Sequence, residues 1–544
     1  MKTSNLQPES FLARPQHIER SQSQIFDLAV VGGGITGAGV AREAAMRGLS
    51  VCLIEQADFG EGTSSRSSKL AHGGLRYLEN FEFDLVSEAL RERQHLLHMA
   101  PHMVKPLRFL MPLYKGDRVG PLKMRAGMIL YDLLSAFKSP KFHEGVSKAE
   151  IVKCYPTLKS EGLKSGFLYS DALMDDDRLV HETLRSAVEE GAVVMSYVSA
   201  QKFQQNSNGV CELICKDRLS DLDLNVRAEH VVSCTGPWTD LFAKKVSSDW
   251  SNRMRPSKGI HITLPKNILK LDSAVVMAAD KDKRILFCIP REGFDIVGTT
   301  DTDFVSEPGQ VSSTKEDVAY ILNILKEYYP GLSIGFGDIL FSYSGVRPLV
   351  NDGSADESKV SRSHWVQTDA DKRVTYISGG KYTTYLAMAE DALKSALKSS
   401  KKLKQKIKKI NTRRPFVELN SPDNIQLAQE KLLSMTGLAW SEQDVLEFVN
   451  RHGALSVEFV KAWPSSSPHV LEALVAIHYY FCGSLKDFYF RRVPYLLKGL
   501  PYAEQTYTDV FEVFKAELGW SKQELTNQVE SLNQAVKFET EWRS

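Results

Sequence analysis

Apolar and polar positions along the chain fall into blocks that predict strands and helices before any motif is considered. The mostly apolar run Phe26–Val31 ends in three glycines, the mark of a buried strand. Small and apolar residues then recur at helical spacing over Thr36–Arg47 until Gly48 stops them, and a second strand over Ser50–Ile54 ends on Glu55. Helical spacing returns over Asp84–Met99, and Ala187–Val194 reads as a helix end, a glycine cap and a strand. Glu229–Asp240 is a buried strand running into a Gly-Pro turn, and a further strand lies around Ile285–Pro290. A glycine turn at Gly379 and Gly380 opens a helix expected to reach about Leu397. Beyond residue 414 the pattern is largely helical, with capping boxes at Ser441/Asp444 and Ser521/Glu524. The polar stretch Met1–Gln24 is expected to be a loose tail.

The first strand, turn and helix carry the earliest chemical signal. Gly32 permits a sharp turn, Gly34 lets the backbone approach a pyrophosphate, and Gly37 with Ala38 lets the helix lie close on the strand. Unpaired N–H groups around Ile35 and Thr36, at the positive end of that helix, then face the phosphates. Glu55 follows at the distance where a carboxylate accepts from both hydroxyls of an adenosine ribose and repels a 2′-phosphate. Strand, turn, helix and acid agree on a dinucleotide site; a purely structural turn is the alternative.

Composition narrows the rest. A chain of 544 residues needs two or three domains. With 68 basic and 67 acidic residues its net charge is +1, so no global field recruits nucleic acid. Seven scattered cysteines show no metal-type pairing, which argues for a reducing compartment and no metal. No apolar run reaches the roughly 18 residues of a membrane span, and the N-terminus lacks the apolar core of a secretory signal.

The loop ADFGEGTSSRSSKLAHGGLRYLEN after Gln56 is costly to order unless a ligand fills it. Its strings Thr63-Ser64-Ser65, Ser67-Ser68-Lys69-Leu70 and His72-Gly73-Gly74-Leu75-Arg76-Tyr77-Leu78-Glu79 resemble the flavin loop of FAD-dependent glycerol-3-phosphate dehydrogenases, in the D-amino-acid-oxidase-like superfamily. The resemblance continues in Leu85–Leu90, Gly166–Asp171 and Met174–Val180, and in Lys258–Ile262, Gly298–Asp301, Tyr343–Leu349 and Ile377–Tyr385. Cys234 stands for the family's usual Ala, Ile260 for a frequent Ser, and Tyr489-Phe490 and Val493 depart from its C-terminal wording. The implied fold is α/β: a Rossmann-like FAD-binding domain, an α+β substrate domain with a mixed sheet over the flavin, and a C-terminal all-helical domain. On this division residues 1–24 are a flexible tail. The FAD-binding domain is discontinuous, over 25–104, 165–257 and 341–397, and the substrate or cap domain takes 105–164 and 258–340. A basic linker covers 398–414 and the helical domain 415–544.

The resemblance implies FAD as cofactor, held by Gly32, Gly34, Ile35, Thr36, Gly37, Glu55, Thr63, Ser64, Ser65, Ser68, Lys69, His72, Gly73 and Gly74. Val198, Gly236, Trp238, Asp301, Gly380, Lys381, Tyr382 and Thr383 complete the set. The implied substrate is glycerol 3-phosphate, whose dianion calls for several cations, forked ones above all. Arg76, Arg347, Arg362 and Lys381 are the candidates, and Tyr77 adds a hydroxyl. Oxidising a secondary alcohol also needs a base for the hydroxyl proton; His261 is favoured, with His72 as competitor, and Arg347 is counted with His261 as catalytic.

Lys105–Lys141 carries eight basic and two acidic residues, interleaved with Phe109-Leu110-Met111 and the run Met128 to Phe137. That pattern favours a surface dipping into anionic headgroups, with an ordinary buried helix as the alternative. It fits a quinone-pool acceptor and peripheral attachment to the inner face of the cell membrane. The insertion usual in oxygen-using relatives is not seen. An oxygen-dependent glycerol-3-phosphate oxidase and an FAD amine or amino-acid oxidase remain as alternatives, and a homodimer stays open. Lys398–Arg414, with seven Lys, two Arg and no acid, reads as a solvated linker.

Overall fold

The computed structural model describes residues 7, 9–136, 138–279, 284–351, 353, 362–417, 420–500 and 508–544; the side chains of residues 76 and 80 fall outside that description. Phe137, part of the expected apolar run, lies outside it as well.

Two sheets organise the chain. In the first, the fully buried strands Phe26–Val31 and Val51–Ile54 run parallel beside Asp223–Ser233, with Val193–Met195 at one end and Val374–Gly379 and His364–Asp369 at the other. Such two-sided burial is what a parallel sheet needs, and the helices Ile35–Met46, Asp176–Glu189 and Tyr385–Ser399 supply one cover. The second sheet has ten strands and is mostly antiparallel. Its longest pairing joins Val104–Tyr114 to Leu163–Met174, and Ser257–Pro265 pairs with both Phe294–Gly298 and Ser342–Arg347. Among the described residues, helices from Pro422–Leu433 to Lys522–Thr540 form the C-terminal region, and both expected capping boxes are formed.

Three expectations about organisation need correction. Leu163–Met174, Ser342–Arg347 and Leu70–Ala71 belong to the second sheet, so the substrate domain takes strands from segments assigned to the FAD-binding domain. The N-terminal stretch is not a loose tail from Phe11 onward: Arg14–Ser23 is a helix with His17 and Ser21 buried, and Arg14 pairs with Asp217 at 2.7 Å. The run 398–414 is solvated as expected, all seven of its lysines being exposed, but it is not a free linker. Lys401–Lys406 is a helix capped by Ser400 with Leu403 buried; Lys402 pairs with Glu229, Lys406 with Asp27, and Arg42 donates to the Thr412 carbonyl at 2.8 Å. Arg413 and Arg414 likewise meet Glu390 and Glu190 on the surface the run lies against.

Candidate active site

Between the two sheets lies a cavity of about 1890 Å³, well above the roughly 300–1,000 Å³ of a drug-sized pocket. One end is the glycine turn. Gly32 has φ +106°, and a Cβ there would stand 2.5 Å from the Cys234 carbonyl oxygen. At Gly37 it would stand 1.8 Å from the Gly32 oxygen, so this residue lets the helix close on the strand and does not itself line the cavity. Gly34, Ile35 and Thr36 do line it, and the Ile35 N–H already donates to Ser64 Oγ at 2.9 Å. Glu55 accepts from the N–H groups of Gly33 at 2.6 Å and Ala57 at 3.0 Å. Burial nevertheless raises its carboxyl to about 7, and lone pairs remain for further donors. Val198, Gly236 and Trp238 line the same end, joined by Gln56, Arg218 and Lys245, which the sequence reading missed.

Of the loop residues expected to hold the cofactor, Thr63, Ser64, Ser68, His72 and Gly74 face the cavity; Ser65, Lys69 and Gly73 do not. Lys69 is turned into an ion pair with Asp176, and its ammonium is also 3.4 Å from the Ser65 carbonyl. The Gly73 N–H is taken by Tyr131 Oη at 3.0 Å and Asp171 Oδ1 at 3.1 Å. Thr63 donates to the Val346 carbonyl at 2.6 Å, tying the loop to the second sheet.

Several cations line the same cavity. Arg347 Nη1 donates to Asp301 Oδ1 at 3.1 Å and Ser257 Oγ at 3.3 Å, and Nη2 to Thr299 Oγ1 and the Thr300 carbonyl, both at 2.9 Å. Arg362 reaches the other oxygen of Asp301 at 3.2 Å. Burial alone would push the Asp301 carboxyl up, yet these two guanidiniums hold it below its usual range. Arg284, a cation the sequence reading missed, lines the same wall. Arg76 is on the described backbone of a short helix, Leu75–Asn80, but its side chain lies outside the described residues.

Lys381 follows two glycines of positive φ, Gly379 and Gly380, which lets the chain turn sharply after the strand Val374–Gly379. Its ammonium is 3.7 Å from the Tyr77 ring centroid and has no hydrogen-bond partner among the described residues. Burial lowers it to about 7. Thr383 Oγ1 accepts from the His72 N–H at 3.1 Å, and the Tyr382 ring lines the cavity while its hydroxyl donates to the Asp176 carbonyl.

His261 is buried on the second sheet, stacked at 4.9 Å on Tyr343, with Nε2 2.8 Å from Ser68 Oγ and Nδ1 without a partner among the described residues. Burial, reinforced by Arg347 and Lys69, lowers it to about 3, so the ring is neutral at ordinary pH. His72 also lines the cavity, and burial lowers it too.

The glycine cradle, the helix N-terminus and a cavity of this volume fit FAD. Among the described residues no group of His, Cys, Asp or Glu is placed to hold a metal ion.

Comparison with known proteins agrees with this architecture. Residues 27–386 match the model of the FAD dependent oxidoreductase family. An aerobic glycerol-3-phosphate dehydrogenase of Staphylococcus aureus (strain USA300) is 36% identical over 392 residues, 71% of this chain and 70% of that one. The crystal structure of the glycerol-3-phosphate dehydrogenase of Bacillus halodurans complexed with FAD matches with TM-score 0.80 and 26% identity, over 97% of this chain and 98% of that one. The L-alpha-glycerophosphate oxidase of Mycoplasma pneumoniae shares the fold at TM-score 0.56 and 17% identity, over 72% of this chain and 98% of its own. The chain therefore belongs to the FAD dependent oxidoreductase family, and within it to the FAD-dependent glycerol-3-phosphate dehydrogenases.

Proposed function

We propose that this protein oxidises sn-glycerol 3-phosphate to dihydroxyacetone phosphate and delivers the two electrons to a membrane quinone. FAD, when bound, accepts the hydride from the secondary carbon. The observation that carries the substrate reading is the meeting of Arg347 and Arg362 at Asp301 in a cavity that Lys381 also lines. A monoanionic carboxylate, as in an amino-acid substrate, needs one such cation; several suit a phosphate dianion. Arg347 is held rigid by Asp301, Thr299 and Thr300, so little ordering is lost when a substrate arrives. Lys381, with no hydrogen-bond partner among the described residues, supplies the charge still to be neutralised.

His261 takes the hydroxyl proton. The positive field of Arg347 and Lys69 and the loss of water keep the ring unprotonated. A phosphate dianion settling on Arg347 opposes that field and raises the basicity of the imidazole where it is needed. Ser68 fixes the ring through Nε2, and Tyr343 holds its plane.

A specific surface favours the quinone over oxygen. On the helix Pro121–Leu134 an apolar stripe points outward, with Leu122 86%, Ile129 45% and Leu133 51% exposed, and Phe81 beside the cavity mouth is 77% exposed. Lys123, Arg125 and Arg118 flank it, and Phe81, Phe83, Lys123, Met124 and Leu130 also line the cavity, so the site opens on this face. An apolar stripe with basic flanks suits an anionic membrane surface, at the inner face of the cell membrane. None of the described helices is long and apolar enough to cross a membrane. The double variant Leu122→Asp/Ile129→Asp should lose most binding to anionic vesicles and most quinone reduction in them, while turnover with a soluble dye stays within about twofold. Unchanged quinone reduction would remove this face from the reaction.

A further inference from the structure

The C-terminal helices lie beyond the matched family span, yet they grip the loop that wraps the glycine turn. Residues 57–66 form that wrap: the Gly60 N–H donates to the Gly33 carbonyl at 3.0 Å, and Ser64 Oγ receives the Ile35 N–H. Phe59 occupies the space beside Gly33, where a Cβ would come within 2.6 Å of its ring. The charges of this loop are answered from the C-terminal region. Asp58 is fully buried and accepts from Arg492 through Nη1 and Nη2, both at 2.8 Å, and from Arg491 Nε. Glu61 pairs with Lys486 at 2.6 Å. Arg66 pairs with Glu539 on the helix Lys522–Thr540 and also donates to the carbonyls of Ser344 at 2.9 Å and Glu61 at 3.2 Å. Phe538, the neighbour of Glu539, lines the cavity, as do Glu61 and Arg66.

A loop rich in glycine and serine is costly to order, and a buried Asp58 without these guanidiniums would be an uncompensated charge. We propose that the C-terminal domain is a clamp on the cofactor loop, with Arg491, Arg492, Lys486 and Glu539 as positioning residues that set how tightly FAD is retained. The inference rests on FAD occupying the glycine-turn end of the cavity. Without the clamp the loop must be ordered at the moment FAD binds, and affinity falls by that cost.

The test uses the full-length protein, stripped of FAD and titrated with it, alongside the melting temperature of the stripped form. Arg492→Gln should weaken FAD binding about tenfold or more, and Lys486→Met about threefold. Glu472→Gln is the control: this carboxylate bonds Arg451 at 2.8 Å and His452 at 3.0 Å inside the C-terminal domain, away from the loop. It should lower the melting temperature and leave FAD affinity within about twofold. Unchanged affinity in Arg492→Gln and Lys486→Met, or an equal loss in Glu472→Gln, overturns the clamp. Should Arg492→Gln not fold, Lys486→Met decides alone, since that lysine is 31% exposed and its loss is tolerable. A wild-type protein that takes up no FAD at all would instead sink the cofactor reading, and the clamp with it.

Discussion

Replacing Lys381 by Met should make the ligand-free protein more stable and the enzyme worse. Burial brings this ammonium from 10.5 to about 7, and a fall of that size corresponds to at most ~5 kcal/mol of penalty for carrying the charge. Exposure to the cavity and the Tyr77 ring at 3.7 Å return part of it, leaving ~1–2 kcal/mol to be recovered by Met, or about 1–2 °C in a chain of this size. A lysine depressed in the folded state destabilises it wherever the unfolded chain still binds the proton. The penalty is absent above about pH 10.5, builds as pH falls toward 7, and is complete below that; the gain from Met should follow the same course.

In catalysis the sign reverses. A charge-assisted contact to phosphate is worth ~1.5–3 kcal/mol, so kcat/KM for glycerol 3-phosphate should fall about 10- to 150-fold at pH 6.5. The wild-type kcat/KM should decline above about pH 7 as Lys381 loses its proton, and below about pH 6 as the phosphate gains one. Lys381→Arg stays charged and should push the alkaline limb upward; in Lys381→Met that limb should vanish. His261, lowered to about 3, cannot produce it, and Glu55, raised to about 7, would mark FAD affinity. An alkaline limb near pH 7 that survives in Lys381→Met, or a melting temperature that drops, refutes the reasoning.

The remaining predictions concern the base, the phosphate grip and the cradle. His261→Asn should slow reduction of the bound flavin in a single turnover by at least about 100-fold while FAD stays bound, and an unchanged rate takes His261 out of the mechanism. Arg347→Ala should raise KM for glycerol 3-phosphate far more than for glycerol, by about tenfold or more; equal losses for the two would deny it the phosphate. Gly37→Ala places a Cβ 1.8 Å from the Gly32 oxygen, so the helix must lift and FAD should be lost on gel filtration, and a yellow, normally stable variant would show that the cradle is looser than described.

The glycine turn and its acid were legible because everything that defines them is local: strand, turn, helix and Glu55 fall within thirty residues. What the sequence hid depends on partners far along the chain. Lys69 looked like a cofactor ligand, but Asp176, which claims it, is 107 positions away; Gly73 lost its N–H to Tyr131 and Asp171, 58 and 98 positions on. The basic run 398–414 is solvated as its composition suggests, but nothing in it reveals that it also docks on Asp27 and Glu229. Arg284 carried no motif, and only the fold brings it to the wall of Arg347. The loop charges Asp58, Glu61 and Arg66 were equally silent, since their partners come from the far end of the chain.

The central claim, a flavin at the glycine turn facing a phosphate-binding cluster, is tested most directly by anaerobic titration of the purified protein followed at the visible flavin band. Glycerol 3-phosphate should bleach the flavin stoichiometrically, whereas glycine and sarcosine at the same concentration should leave it yellow. A colourless protein that takes up no FAD, or a flavin bleached by the amines and untouched by the phosphate ester, would contradict the account.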